Sequence, residues 1–341
     1  MYLILAQDED VHADAVLFYL KKYGKNVRRF DIATLFDEYS AAEHYENRSS
    51  INIDIGVDNG RLIFENGEII DSNQIRSILS RSFYIPKSKE NAPTTDHLAT
   101  AEIRTALKGF FSLVPDSCKW INNPYIEEKV DNKIFQHSCA RRLGLKVPDT
   151  IITNDPVKAR AFFDKHQEQV IIKQLSEISL IDEKPYINKE GYNDIEFKGF
   201  YTSKVLKEDL NDLDDCLGPG SAPVFFQECL KKKSELRVTV IGDKCFTYRI
   251  FSQENEKSKI DFRHVDDLRT EPCDLPDPIK ERILKLMQNW GLSFATIDLV
   301  ETESNEIVFL EANVVGNWLW LEIGKDGSQI AQAIADYMIK E

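Results

Sequence analysis

The sequence predicts an α/β protein, and three patterns in its 341 residues carry that expectation. The opening, "MYLILA" followed by "DEDVHADAVLFYLKKYGKNVRRFD", reads as a strand, a helix capped near Asp8, a stop at Gly24 and a second strand. In the C-terminal third, "SELRVTVIGDKCFTYRI" and "SFATIDLVETESNEIVFLEANV" read as strands joined by short turns. With 42% hydrophobic and 29% charged residues, the chain has the makings of a soluble globular protein of about two domains.

The elements follow in order. Residues 51–70, "INIDIGVDNGRLIFENGEII", alternate as a hairpin with Asn59-Gly60 at its turn. "RSFYIP" resembles a further strand, residues 87–97 a surface loop, and "TTDHLATAEIRTALKGFFSLVP" an amphipathic helix. No glycine fingerprint for a dinucleotide follows the first strand, so none is expected to bind there. After "KWINNP" the character changes, which places a boundary near residue 118. A helix is expected from Glu127 to Leu143, then "LKVPDTIITNDP" leading into another, a strand at "QVIIKQL", and a polar stretch from Ser176 to Lys198. "APVFFQECL" and "SKIDFRHV" read as strands, "DPIKERILKLMQNWG" and "SQIAQAIADYMIK" as helices.

The net charge of -14 disfavours nucleic acid and anionic membrane as partners, so an anionic ligand needs a local cluster of Lys and Arg. No apolar run approaches the roughly 18 residues that span a bilayer, and "MYLILAQDED" is too short and acidic for a secretory signal, so a cytoplasmic location is expected. Six cysteines without a Cys-x-x-Cys pair suggest reduced fillers rather than a zinc or disulfide framework.

The last hairpin carries the chemistry. Strand side chains alternate, so Ile307, Phe309, Glu311 and Asn313 are expected on one face. If Glu303-Ser304-Asn305-Glu306 is the loop, the register that closes it sets Asp298 opposite Glu311. At about 5 Å and an effective dielectric near 20, their repulsion is roughly 3 kcal/mol. A proton offsets that, or the oxygens of Asp298, Glu311 and Asn313 hold Mg²⁺, which keeps its other positions for water and phosphate. A register one residue away points both acids to solvent.

On the phosphate side, Lys173 ends a buried-looking strand and Lys133 lies early in a helix, where it is either a phosphate ligand or a solvated residue. The strand ending Gln227-Glu228-Cys229-Leu230 can offer backbone groups to an adenine edge, and Glu235 can accept from ribose hydroxyls. Arg237 and Thr239 share a face; Arg249 joins them with a three-residue loop at Gly242-Asp243 and takes the opposite face with a two-residue turn. Arg263 adds a planar guanidinium suited to phosphate or carboxylate.

Taken together, Lys133, Lys173, "FFQECL", Glu235, "ELRVTVIGDK", "DFR", Asp298 and Glu311-x-Asn313 resemble the ATP-grasp superfamily of carboxylate-amine ligases, with "ELRVTVIGDK…DFR" similar to its RimK-type glutamate ligases. "WINNPYIEEKVDNKIFQHSCARRLGLKVPDTIITND", "FFQECLKKKSELRV" and "FLEANVVGNWLWLE" resemble, more narrowly, the microviridin-type graspetide ligases, which install ester or amide crosslinks in ribosomal peptides. The resemblance is good over residues 119–341 and loose over 1–118. It departs after Asn313, where the family's Pro-x-Gly-Gln-Trp is Val314-Val315-Gly316-Asn317-Trp318; metal ligation is expected to survive this, with the change bearing on substrate fit.

The resemblance implies an ATP-grasp fold with an N-terminal α/β domain (1–118), a central subdomain (119–226) and a C-terminal subdomain (227–341). ATP would lie between two α/β halves, its nucleoside on Gln227, Glu228, Leu230 and Glu235, its phosphates on Lys133, Lys173 and Arg237, with two Mg²⁺ on Asp298, Glu311 and Asn313. Arg237 and Arg263 would orient the acidic substrate side chain or the transferring phosphate. The partner would be a precursor peptide with a leader and an acidic core. Its leader would dock near a helix beginning at "KEDLNDLDD", where Glu208, Asp209 and Asp212 form either a site for a basic residue or a solvated helix start. A homodimer is also implied. The alternatives are a RimK-like ligase adding amino acids and a non-catalytic ATP-binding module; the retained Asp298, Glu311 and Asn313 speak against the latter, and the Trp318/Trp320 run favours crosslinking.

Overall fold

The computed structural model describes residues 1–35, 51–64, 66–81, 94–175, 202–265, 267–322 and 327–340, with four isolated residue pairs between 180 and 198. Apart from Arg81, the strand expected at "RSFYIP" falls outside them, as do residues 87–93 of the expected loop. Among the described residues no helix is long and apolar enough to cross a membrane.

The chain opens with β1 (Tyr2–Leu5), α1 (Val11–Lys22), β2 (Val27–Phe30), β3 (Ile51–Ile55), β4 (Gly60–Phe64), β5 (Ile69–Asp71), β6 (Ser77–Ser80), α2 (Thr94–Phe111) and β7 (Lys119–Ile121). A parallel sheet runs in the order β2-β1-β6-β7, and β3, β4 and β5 form a separate meander. β1 is apolar at every position because both faces of a parallel sheet are covered. Asp10, not Asp8, caps α1: its side chain accepts from the Ala13 N–H at 2.9 Å. Ile55 pairs with Gly60, so the hairpin turns over Gly56 to Asn59 instead of at Asn59-Gly60. β7 belongs to this first sheet, which therefore runs past residue 118 to Ile121.

Next come α3 (Pro124–Val130), α4 (Lys133–Arg142), β8 (Thr150–Thr153), α5 (Pro156–Lys165), β9 (Val170–Lys173), the two-residue strands β10 (Leu180–Ile181), β11 (Tyr186–Ile187), β12 (Asn193–Asp194) and β13 (Phe197–Lys198), then β14 (Ser203–Lys204), α6 (Leu213–Cys216) and β15 (Val224–Glu228). Their main sheet runs β14-β9-β15-β8, so its last strand extends past residue 226. The single helix expected from Glu127 to Leu143 is two. Asn132 interrupts it by capping α4, its side chain accepting from the Phe135 N–H at 3.1 Å. The helix expected at "KEDLNDLDD" is a 3₁₀ turn, Glu208–Asp212, running into the single turn of α6. There the Asp209 carboxylate accepts from the Leu206 N–H at 2.7 Å, a side-chain bond that competes with helix.

The last unit contains β16 (Lys232–Ile241), β17 (Lys244–Ile250), β18 (Thr270–Pro272), α7 (Asp277–Trp290), β19 (Phe294–Thr302), β20 (Ile307–Asn313) and α8 (Gln329–Ile339), with an antiparallel sheet ordered β18-β17-β16-β19-β20. Leu236, Val238 and Val240 meet Ile297 and Leu299 over α7 in one core. A second core joins this unit to the first, with Val16 and Leu20 of α1 against Ile330 and Ile334 of α8 and Trp318 between. "SKIDFRHV" is not a strand. Asp261 accepts from the Arg263 N–H at 3.1 Å and turns the chain into a 3₁₀ segment, Phe262–His264. Asn122 pins the units together, donating to Phe294 O (2.8 Å) and Val314 O (3.1 Å) and accepting from the Ser293 and Phe294 N–H groups.

Candidate active site

Register decides which side chains meet. β20 pairs with β19 as Glu301↔Ile307, Val300↔Val308 and Leu299↔Phe309, then shifts by one so that Asp298 faces Glu311 and Thr296 faces Asn313. An unbroken register would have set Asp298 against Leu310; the extra residue re-aims the strand end. The expected Asp298/Glu311 pair is thus present, for a different reason. Phe309 does not share Glu311's face as the alternation implied: it is 1% exposed and packs in the α7 core.

The outer edge of β20 is closed by side chains. Gln136 of α4 donates to Ala312 O at 2.7 Å and accepts from the Ala312 N–H at 2.8 Å, and the His137 ring bonds Leu310 O at 2.7 Å. These bonds lock α4 against the bulged strand. Lys133, one turn earlier, therefore reaches Glu311, with Nζ 3.5 Å from Oε2.

A cleft of about 380 Å³ brings together Lys133, Lys173, Arg237, Arg263, Asp298, Glu311 and Asn313. A narrower slot runs on from it, lined by Gln227, Glu228, Leu230, Glu235 and again Lys173. Burial would raise the Glu311 carboxyl, but Lys173, Lys133 and Arg263 outweigh it and hold the group below the usual range. Asp298 goes the other way: burial raises it, Arg237 pulls down, and Glu311 pushes up. Burial lowers the Lys173 ammonium against the opposing pull of Glu311. In the slot, burial raises the Glu235 carboxyl although Lys232 donates to it at 3.0 Å.

Several expected residues have additional duties. Arg237 places Nη1 2.7 Å from both oxygens of Asp298 and donates from Nη2 to Asn317 O at 3.3 Å. Arg263 forks onto Asp261 with Nε and Nη2, each at 2.8 Å, and that pairing holds it more firmly protonated despite burial. Glu228, in the lining of the slot, accepts from the Asp149 N–H at 2.8 Å. Arg249 lies on the face opposite Arg237, since Ile241 pairs with Lys244 across a two-residue turn. Glu208, Asp209 and Asp212 are exposed and line neither the cleft nor the slot.

Sequence reasoning missed Asp131 and Phe262 in the cleft and Lys232 in the slot. The Asn-cap signal at Asp131-Asn132 marks a helix start beside the cleft, whereas nothing local distinguishes Lys232 within "KKKSE". After Asn313, Gly316 is required by space: a Cβ there would lie 1.6 Å from Thr296 Oγ1. Trp318 is a fully buried core residue, and only Trp320 of the pair reaches the cleft.

Among the described residues no group of three or more His, Cys, Asp or Glu converges to hold a metal. At the ends of β19 and β20 the cleft instead sets the carboxylates of Asp298 and Glu311 beside the Asn313 amide. That set fits a hard cation keeping water and phosphate oxygens in its remaining positions.

This arrangement of sheets around a cleft of opposed acids and lysines is the ATP-grasp fold, and the chain is placed in that superfamily. No family model matches the chain. It is similar to the RiPP-associated ATP-grasp ligase of Chryseobacterium gregarium, solved with ADP and a leader and core peptide (25% identity, TM-score 0.79, covering 99% of this chain and 96% of that one). It is likewise similar to the macrocyclase MdnB of Microcystis aeruginosa MRC (27% identity, TM-score 0.72, 99% and 98%). Among curated proteins, tetrahydromethanopterin:alpha-L-glutamate ligase of Methanocaldococcus jannaschii is 24% identical over 203 residues, 59% of this chain. The chain spans 64% of that relative, under two thirds of its length.

Proposed function

We propose that the chain is an ATP-dependent ligase that activates Asp or Glu side chains of a precursor peptide as acyl phosphates and joins them to Ser/Thr hydroxyls or Lys amines. One observation carries this: opposed carboxylates and an amide at the end of β19 and β20 share a cleft with lysines from two other segments and Arg263. The likeness to a ligase solved with ADP, leader and core peptide supports the same reading.

In this reading the backbone around Gln227, Glu228 and Leu230 takes the adenine, and Glu235, steadied by Lys232, takes the ribose. Lys133 and Lys173 neutralise the phosphates, with Glu311 fixing Lys133 between turnovers. Two Mg²⁺ held by Asp298, Glu311 and Asn313 would supply positive charge to the transferring phosphoryl group. Arg263 presents the edge not engaged by Asp261 to the substrate carboxylate, whose oxygen attacks the γ-phosphorus as ADP leaves. Arg237 holds Asp298 in line and adds charge where oxyanions develop. The hydroxyl or amine then attacks the acyl carbon, and phosphate departs with the proton balance closed by solvent.

In this reading the chain keeps three units divided near residues 118 and 226, and the sheets that β7 and β15 complete support a division just after each of those strands. Leader docking at Glu208, Asp209 and Asp212, and a homodimer, complete the proposal; light scattering at twice the 39.2 kDa chain mass checks the latter. A second reading, transfer of free amino acids, is favoured by the glutamate-ligase relative. Incubation with ATP, Mg²⁺ and a candidate precursor separates them: loss of one water per bond on the intact peptide supports crosslinking, and gain of a residue mass supports transfer.

A further inference from the structure

The cleft is lined mostly by charged and polar groups, yet one part of its wall is a stacked aromatic pair. Phe262 and Trp320 lie with ring centroids 5.8 Å apart and planes 24° from parallel. They are the only aromatic side chains among the described residues that line it. Each ring is half-buried, so each keeps a surface toward the cleft. Burying those faces elsewhere would stabilise the fold, and leaving them on a polar cleft calls for a partner that covers them.

Their placement identifies the partner. Phe262 sits next to Arg263 in a 3₁₀ turn held by Asp261, which also accepts from the Thr202 N–H at 3.3 Å. Trp320 lies in the 3₁₀ segment Leu319–Glu322, and packs at its back on the core shared with α1 and α8. The stack thus joins the turn bearing Arg263 to the loop leaving Asn313. A carboxylate reaching Arg263 and the oxygen cluster would pass along it.

We propose that the Phe262–Trp320 stack is the wall that receives the core segment beside its activated acidic side chain and keeps water off the acyl phosphate. The inference rests on the ligase reading above. An acyl phosphate has two fates here. A hydroxyl or amine attacks the acyl carbon, the bond to the phosphate oxygen breaks, and a crosslink and phosphate result; or water attacks the same carbon, returning the free carboxylate and phosphate. Both consume one ATP, and only the first removes a water from the peptide. An apolar wall favours the first by occupying the space an attacking water needs.

The test is the ratio of phosphate released to crosslinks formed, measured with ATP, Mg²⁺ and the precursor for the wild type, Trp320→Ala, Trp320→Phe and Phe262→Leu. The expected ratio is near one for the wild type, several-fold higher for Trp320→Ala, and intermediate for Phe262→Leu, with Trp320→Phe returning it toward one. Because the ratio is independent of how much enzyme is folded, lost stability in Trp320→Ala does not move it. A wild type that forms crosslinks, with an unchanged ratio in Trp320→Ala and Phe262→Leu, overturns this inference alone. A wild type that forms no bond overturns the ligase reading and this inference with it.

Discussion

Two acidic sites three residues apart on β19 are handled in opposite ways. Glu301 is closed by the fold: Lys233 Nζ sits 3.0 Å from Oε1, Ser234 donates to Oε2 at 3.1 Å, and Arg249 joins the same oxygen. Asp298 and Glu311 instead sit opposite one another on adjacent strands in the wall of a cleft, with Arg237 on the first and Lys133 at 3.5 Å from the second. The Glu301 cluster needs nothing further. The cleft sets acid against acid and leaves its cations turned inward, an arrangement that gains most when an anion bridged by metal enters. A buried charge closed by its own neighbours reads as architecture, and one left facing a like charge reads as chemistry.

Glu311→Gln breaks the contrast most sharply. Glutamine keeps the shape and relieves the repulsion with Asp298, but it also takes away a charge that Lys173, Lys133 and Arg263 hold ionised, so stability is expected to fall modestly, by a few °C in Tm. Ligation is expected to fall on the order of 10³-fold, about 4 kcal/mol of transition-state stabilisation. Thermal melts and single-turnover rates on the same preparation check both; full activity in the variant refutes the role given to Glu311.

Glu301→Ala should give the reverse. It strands Arg249 and Ser234 in a half-buried site, at a cost of about 3 kcal/mol in stability, while the rate per folded molecule stays near wild type. Urea unfolding beside the ligation assay checks it, and a selective loss of activity would show that the cluster is not merely structural.

Glu127 shows a third solution, neutralisation by a proton. Burial pushes its carboxyl from 4.5 up to about 8, with Asn122 and Arg81 pulling back and Asp131 pushing further, and Oε1 has no hydrogen-bond partner. The raised value means the folded chain keeps a proton the unfolded chain releases. Stability is therefore full below about pH 4.5 and declines as pH rises to about 8. Glu127→Gln should abolish that decline, gaining on the order of 4 kcal/mol at pH 8 relative to wild type. Unfolding at pH 5 and pH 8.5 decides it: parallel losses in both proteins count against the account.

How much of this was legible depended on whether the deciding interaction was local. Asp298, Glu311 and Asn313 were readable because a hairpin's register follows from its loop, even though alternation alone put Phe309 on the wrong face. The bulge at Leu310 was not readable, since it is stabilised from α4 by Gln136 and His137, more than 170 residues away in sequence. The N-terminal sheet was legible in β1 and α1, whose apolar periodicity is strong, and poorly so in β7, three residues long and defined by pairing alone. "SKIDFRHV" failed for a related reason: its apolar spacing suits a strand, but Asp261 prefers its own backbone and Arg263 to a ladder.

The smallest expected effect concerns the acidic turn, where the comparison moves to the surface. In an α-helix Glu208 and Asp212 would lie on one face; the 3₁₀ turn has about three residues per turn, so Asp209 and Asp212 align and Glu208 points aside. Asp209 also holds the turn through the Leu206 N–H, which makes Asp212 the cleaner probe of leader docking. Replacing all three with Ala should weaken binding of a labelled leader segment about tenfold at low salt, Asp212→Ala alone about threefold, and Glu208→Ala hardly at all. Because the residues are exposed, the differences should shrink as the Debye length falls below the separation of the charges. Fluorescence anisotropy across a salt series measures this, and equal affinity for the triple variant and the wild type at low salt would place the leader elsewhere on the molecule.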